Sequence, residues 1–178
     1  MEPAEFPATA PDEWPQPSAF LSHEARVEES WIDYNGHMTE WQYYKLLAEA
    51  GECFLRAAGF TEEYRLRGYS FFSVEGHLRN LKECRVGTPL SVYTDLVGFD
   101  AVRLHIYQYV WDKSRSITVA TGEHMMLHVD TRKRAVIPME PYMYDCLVRA
   151  AERWRPQLKP LGLGAAIGRR AGVGPASR

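Results

Sequence analysis

No stretch of about 18 consecutive apolar residues occurs in this chain of 178 residues, so no membrane-spanning helix is readable in it. Its opening residues are acidic and Pro-rich rather than basic and then apolar, which is not the pattern of a signal peptide and predicts a cytoplasmic protein. A dominant charge is missing too. Lys and Arg total 21 against 23 Asp and Glu, a net charge of -2, which supplies no basic face for nucleic acid or an anionic membrane. Cysteine is scarce: Cys53, Cys84 and Cys146 form no CxxC pair and leave one over in any disulfide scheme, which predicts reduced thiols and no zinc site. With repeats absent as well, the composition is that of an ordinary globular chain acting on a small molecule.

Proline and glycine are unevenly spread. Residues 1–17 hold five of the 11 prolines and four acids without a base, an acidic extended arm. Residues 156–178 hold three prolines, five of the 13 glycines and the bases Lys159, Arg169, Arg170 and Arg178 without an acid, a basic flexible tail. Between them, residues 18–155 are long enough to bury one core.

The pattern within that span is mixed. Residues 23–33, short and rich in Val, Ile and Trp, read as a first strand ending at the turn Tyr34-Asn35-Gly36. Tyr44, Leu47, Ala48, Gly51, Phe54, Leu55 and Ala58 then recur at helical spacing on one face, predicting a helix over 40–58. Thr39 and Gln42 have capping-box spacing at its start, and Gly59 supplies a stop. Gly51 inside this helix allows a close approach of the sheet or is incidental. Four alternating segments follow at 69–81, 90–99, 102–111 and 117–129, with turns short enough for antiparallel hairpins, and 141–153 forms a closing helix. Along the third of these, Val102, Leu104, Ile106 and Val110 share one face, and Arg103, His105, Tyr107, Tyr109 and Trp111 the other. The sum is an α+β layer in which one curved antiparallel sheet of about five strands wraps one long helix.

Functional residue types crowd into Asp33-Tyr-Asn35-Gly-His37-Met38-Thr39, between a strand end and a helix start. There, unpaired N–H groups and the helix dipole stabilise a carbonyl oxygen that becomes an oxyanion. Asp33 offers a general base or nucleophile, and His37 a group to orient substrate or share the proton. Read without chemistry, Asp33 and Asn35 are turn residues and His37 is a packing residue.

Trp31-Ile-Asp33-Tyr-Asn35-Gly36-His37-Met38, followed by Tyr43, resembles the signature turn of hotdog-fold acyl-CoA thioesterases of the 4-hydroxybenzoyl-CoA thioesterase type. The likeness continues through Arg85-Val-Gly87-Thr-Pro-Leu and Ala120-Thr-Gly-Glu-His124 to Val129-Asp130 and Pro138. It implies a hotdog fold, Asp33 as the catalytic carboxylate, an oxyanion held by N–H groups around Met38, Thr39, Glu40 and Trp41, and no cofactor, CoA being part of the substrate. Thr39 and Glu40 stand where many of that family carry two Asn residues. Gly36-His-Met-Thr-Glu-Trp41, Ser73-Val-Glu75 and Gly122-Glu-His124-Met-Met-Leu-His128-Val-Asp130 resemble the betainyl-CoA thioesterases of bacterial carnitine degradation. That implies a quaternary ammonium in the acyl group, which aromatic faces with a carboxylate nearby would hold. Candidate contacts are Asn35, Trp41, Tyr44, Tyr69, Phe72, Glu75, His77, Tyr107 and His124, with a cage counted where three aromatics meet around Glu75 or Glu123. The resemblance further implies a site between two protomers, hence a homodimer or homotetramer completed by Glu75, His77 and His124. Two rival functions share the fold: a hotdog enoyl-CoA hydratase and an acyl-CoA-binding sensor without turnover.

Other motifs carry less. His124 and His128 are four apart, about 13 Å on a strand and too far for one metal ion. Gly162-Leu-Gly164-Ala-Ala-Ile-Gly168 imitates a dinucleotide fingerprint but follows Pro160 rather than a strand. Ser70 lacks the second Gly of a nucleophile elbow, and Cys53 lies within the helix. For CoA phosphates, the candidates are Arg169 and Arg170 in the tail, or Arg79, Lys82, Arg85 and Arg103 on the strands.

Overall fold

The computed structural model describes residues 19–156, 160 and 162–164. The acidic arm and most of the basic tail, with Arg169 and Arg170, lie outside the described residues. Five strands, β1 (Phe20–Arg26), β2 (Tyr69–Asn80), β3 (Pro89–Phe99), β4 (Arg103–Asp112) and β5 (Ile117–Asp130), form a sheet in the order β1-β3-β4-β5-β2. The two-residue β6 (Ala135–Val136) pairs with the end of β5, and every pairing is antiparallel. α1 (Glu40–Ala57) packs on the inner face of this sheet, α2 (Glu62–Leu66) leads into β2, and α3 (Pro141–Trp154) closes one end. This is the expected hotdog arrangement.

The core lies between α1 and the inner sheet. Leu46, Leu47 and Ala50 pack with Val92, Val110 and Val119, and further along Phe54 and Leu55 pack with Leu96, Leu104 and Ile106. The alternation of β4 accounts for its share of this core, since Leu104, Ile106 and Val110 face inward as expected. A bulge at Val110/Trp111 interrupts the alternation, and the outward Tyr107, Tyr109 and Trp111 are buried as well.

Three expectations need correction. The first strand spans Phe20–Arg26, not 23–33; a 3-10 turn at Glu29–Trp31 and an isolated bridge between Ile32 and Met38 follow it. The buried stripe of α1 is rotated: Gln42, Tyr43, Leu46 and Ala50 join Leu47, Gly51, Phe54 and Leu55 inside, whereas Tyr44 and Ala48 face outward. A sheet curled round a helix covers a wide arc, and Leu47, Ala50 and Phe54 mark its centre. The capping box is not formed, because the Thr39 side chain caps nothing and Thr39 contributes only its backbone carbonyl to the Gln42 N–H at 3.1 Å.

Gly59 does end the helix. It adopts φ +100°, and a Cβ there would stand 2.6 Å from Cys146 Sγ of α3. Gly51 has no such reason to be glycine, since a Cβ would meet Met126 and Ile106 at ordinary distances of 3.8 and 3.9 Å. Gly51→Ala should therefore stabilise the fold by roughly 0.5–1 kcal/mol, read from the urea midpoint.

Two buried polar groups on the sheet differ in how they are satisfied. His128 is fully served: Ile137 O accepts from Nδ1 at 2.9 Å, which leaves Nε2 to accept from the Tyr64 hydroxyl at 2.9 Å. Asp95 has the Tyr109 hydroxyl on Oδ2 at 2.9 Å but no partner on Oδ1, and burial pushes its carboxyl up to about 6. A carboxyl raised above its unfolded value contributes stability below about pH 4 that is lost as pH rises through 6. Asp95→Asn should then raise the melting temperature more at pH 8 than at pH 5, and an equal effect at both would contradict the shift.

Candidate functional site

The site follows from the sheet order. β2 occupies one edge and β3 lies next to β1 at the other side, so the connection between them must cross the end of the sheet. That crossing segment, residues 81–88, passes the start of α1, where the Met38 N–H donates to the Cys84 carbonyl at 2.8 Å. Opposite it, the loop from Asp33 to His37 is closed by the Ile32–Met38 bridge, by Asp33 N–H to His37 O at 2.9 Å, and by Gly36 N–H to Asp33 O at 3.0 Å. Gly36 takes φ +78°, a turn conformation that suits glycine.

Loop, helix start, crossing segment and the β4–β5 turn line an open cavity of about 900 Å³. Asp33, Asn35, His37, Met38 and Glu40 all line it, as do Tyr43, Glu83 and Arg115. Asp33 Oδ1 accepts the Asn35 N–H at 2.8 Å, an Asx turn, while Oδ2 has only a weak contact with Asn35 Nδ2 at 3.4 Å. His37 does not pair with Asp33; its Nε2 lies 3.0 Å from Glu83 Oε2.

Backbone donors divide at the helix start. Met38 N–H is taken by Cys84 O, and Thr39 N–H by Trp31 O at 2.9 Å. The N–H groups of Glu40 and Trp41, in the first turn of α1, have no backbone acceptor among the described residues. Any oxyanion stabilised by backbone at this point would meet those two.

Tyr43 and Asp112 in the cavity wall, and Cys84 behind it, have shifted acidity, and burial raises the Tyr43 hydroxyl. Burial raises the Asp112 carboxyl, but hydrogen bonds from Ser114 and Arg115 outweigh it and hold the group below the usual carboxylate range. Arg115 also donates to Glu83 O at 2.8 Å, fixing the crossing segment to the β4–β5 turn. Burial raises the Cys84 thiol, which opposes a nucleophilic role for it. Lys82 and Arg85 flank Cys84 and form no ion pair among the described residues.

The other sequence candidates lie elsewhere in the chain. Trp41 and Tyr44, 60% and 42% exposed, stand on the outer side of α1. Tyr44 reaches β2 and meets the His124 ring at 5.5 Å. Glu75, His77 and Tyr107 alternate with residues that face α1 and so belong to the outer face of the sheet. Tyr69 sits with Tyr64 and His128 near one end of β2, and Phe72 is exposed on the same strand. Glu123 is held by His105 at 2.8 Å and by the Gly164 N–H at 2.8 Å. Within one chain, therefore, these aromatics are not gathered round Glu75 or Glu123.

Sequence reasoning missed Glu83, Asp112 and Arg115. His37 and Glu83 are 46 residues apart, and no local spacing signals their meeting. Among the described residues, no group of three or more metal-ligating side chains occurs, and no helix is long and apolar enough to cross a membrane.

Comparison with known proteins agrees with this architecture. Residues 27–147 match the family model of the thioesterase-like superfamily, and the chain belongs to that family. It is 42% identical over 125 residues to an L-carnitine dehydrogenase/betainyl-CoA thioesterase of Agrobacterium fabrum, covering 70% of this chain and 26% of that protein. It is also 31% identical over 148 residues to the betainyl-CoA thioesterase of Pseudomonas aeruginosa, covering 83% of this chain and 93% of that one. The chain thus spans between 26% and 34% of the two-function relatives it matches. A Staphylococcus aureus protein solved in complex with CoA superposes with a TM-score of 0.78 at 22% identity, over 85% of this chain and 96% of that one.

Proposed function

We propose that the chain hydrolyses the thioester of a short-chain acyl-CoA, with betainyl-CoA as the substrate. The observation that carries this is the cavity lined both by Asp33 and by Glu40 at the start of α1, where the Glu40 and Trp41 N–H groups lack backbone acceptors among the described residues. The names of the betainyl-CoA thioesterase relatives support the choice of acyl group. CoA enters as part of the substrate, and the reaction as written draws on no cofactor.

The chemistry follows from charge placement. Asp33 Oδ2, the less engaged oxygen, attacks the thioester carbon or takes a proton from a water that does so. Negative charge builds on the carbonyl oxygen, where the two N–H groups and the α1 dipole stabilise it. The C–S bond then breaks, CoA leaves as thiolate and takes up a proton, and where Asp33 attacked directly a water releases the acyl group. His37, held by Glu83, orients the bound ester beside Asn35. Lys82 and Arg85 supply positive charge on the same wall for the phosphates of CoA.

A homodimer completes this reading. β2 is a 12-residue edge strand with Phe72 and Val74 exposed at 53% and 55%, a backbone edge that a second copy can pair with. Pairing there would bring the partner's strands toward the α1 face and place Glu75 and His77 beside the interface, while a tetramer would add contacts beyond it. Light scattering should give at least a dimer, and a monomer retaining full activity would contradict a two-chain site.

The deciding assay is thiol release from betainyl-, acetyl-, butyryl- and benzoyl-CoA by the wild type and by Asp33→Asn. Betainyl-CoA should be preferred, and Asp33→Asn should lower kcat by about 1,000-fold with little change in melting temperature. Tight ester binding without thiol release would favour a sensor, and water addition to an enoyl-CoA a hydratase.

A further inference from the structure

His124 and His128 lie on the same strand and the same face, are both nearly enclosed at 5% and 0% exposure, and could hardly be served more differently. Both ring nitrogens of His128 are hydrogen-bonded, whereas Nε2 of His124 is buried without a partner. A fold that wanted only bulk at that point would gain by an apolar side chain, because an unpaired buried polar atom is destabilising.

Space has been cleared for this ring at two positions. Gly76 pairs with His124 across β2 and β5, and Gly122 precedes it by two on the same face. A Cβ on Gly122 would come within 2.6 Å of Leu47 Cδ1 and 3.3 Å of His124 Nε2. One on Gly76 would stand 3.1 Å from His124 Nδ1 and would collide with the Tyr44 hydroxyl. Neither glycine has a positive φ, so it is room and not backbone freedom that they provide. What the room admits is a T-shaped contact between Tyr44 and His124, ring centroids 5.5 Å apart at 73°.

The contact fixes an exposed aromatic that does not itself line the cavity but stands one turn along α1 from Glu40, which does. Tyr44 lies about one turn beyond Glu40 and Trp41, about 4.5–6 Å along the axis of α1. Helical side chains lean toward the N-terminus, so Tyr44 is directed back toward the end of α1 at which an acyl group with its carbonyl oxygen on the Glu40 and Trp41 N–H groups would lie. The geometry points to Tyr44 as the residue that selects the acyl group, with its ring presented to a quaternary ammonium and positioned by His124 in the Gly76–Gly122 cradle. This rests on the thioesterase reading above and adds the determinant of its specificity. Burial also lowers the His124 pKa against the pull of Glu123, and a neutral imidazole behind the tyrosine does not repel a cation. His124 acts through Tyr44 and is a positioning residue.

The test compares betainyl-CoA with acetyl-CoA, esters that share CoA and differ in the cation. Tyr44→Leu should lower the betainyl-to-acetyl ratio of kcat/KM about tenfold, mainly through KM for betainyl-CoA. Gly76→Ala, which displaces the Tyr44 ring while leaving Tyr44 itself in place, should lower it in the same direction. His124→Phe should lower the ratio too while leaving the melting temperature equal to or above that of the wild type, an outcome a structural histidine would not give. Ratios unchanged in Tyr44→Leu and Gly76→Ala would overturn the assignment of Tyr44 while leaving the thioesterase reading intact. A His124→Phe variant that loses several degrees of melting temperature and keeps the ratio would reduce His124 to a core residue. A wild type that releases no thiol from any ester would overturn the thioesterase reading and this inference together.

Discussion

The hydrogen bond from Met38 N–H to Cys84 O joins two stretches of chain that nothing local would bring together. It fastens the loop that carries Asp33 to the segment that crosses the end of the sheet, and that segment is in turn fastened to the β4–β5 turn by Arg115. The cavity beside Asp33 exists because these ties hold three walls in place. They also decide which helix-start donors are left over: Met38 and Thr39 are used by the ties, so Glu40 and Trp41 remain. A structural contact and a chemical opportunity thus come from one arrangement of backbone.

Much of this was legible in the residues. The alternation of 102–111 placed Leu104 and Ile106 inside, Gly59 marked the end of α1, and the crowd of polar types at 33–39 marked the cavity loop. The misreadings have physical origins. Helical spacing fixes a stripe but not its centre, and a wrapping sheet buries an arc wide enough to shift that centre from Tyr44 and Ala48 toward Leu46 and Ala50. Thr39 has the composition of a cap, yet its N–H is drawn to Trp31 and its side chain is left without that task.

Site partners distant in sequence were the least legible. Glu83 beside His37 and the Tyr44–His124 contact both depend on the strand order, which no spacing encodes. Motif likeness pointed to Asp33, which lines the cavity, but the glycines at 76 and 122 acquire meaning only when the side chains that fill their space are seen. The outer-face placement of Glu75, His77 and Tyr107 likewise follows from register, since a strand presents neighbours to opposite sides.

The pairing of β1 with β3 also bears on how the chain folds. Phe20 is partnered with Thr94, and Val27 N–H with Thr88 O, so the first strand must wait for residues that follow it by 60 or more positions. β3, β4 and β5 are linked by short turns and close locally, whereas docking β1 carries the larger loop-closure cost. During synthesis the segment bearing Asp33 leaves the ribosome early and finds its walls late. The loop bearing Asp33 is therefore among the last parts of the molecule to acquire its shape, and the wait for the β4–β5 turn sets the earliest moment at which a nascent chain could complete the cavity.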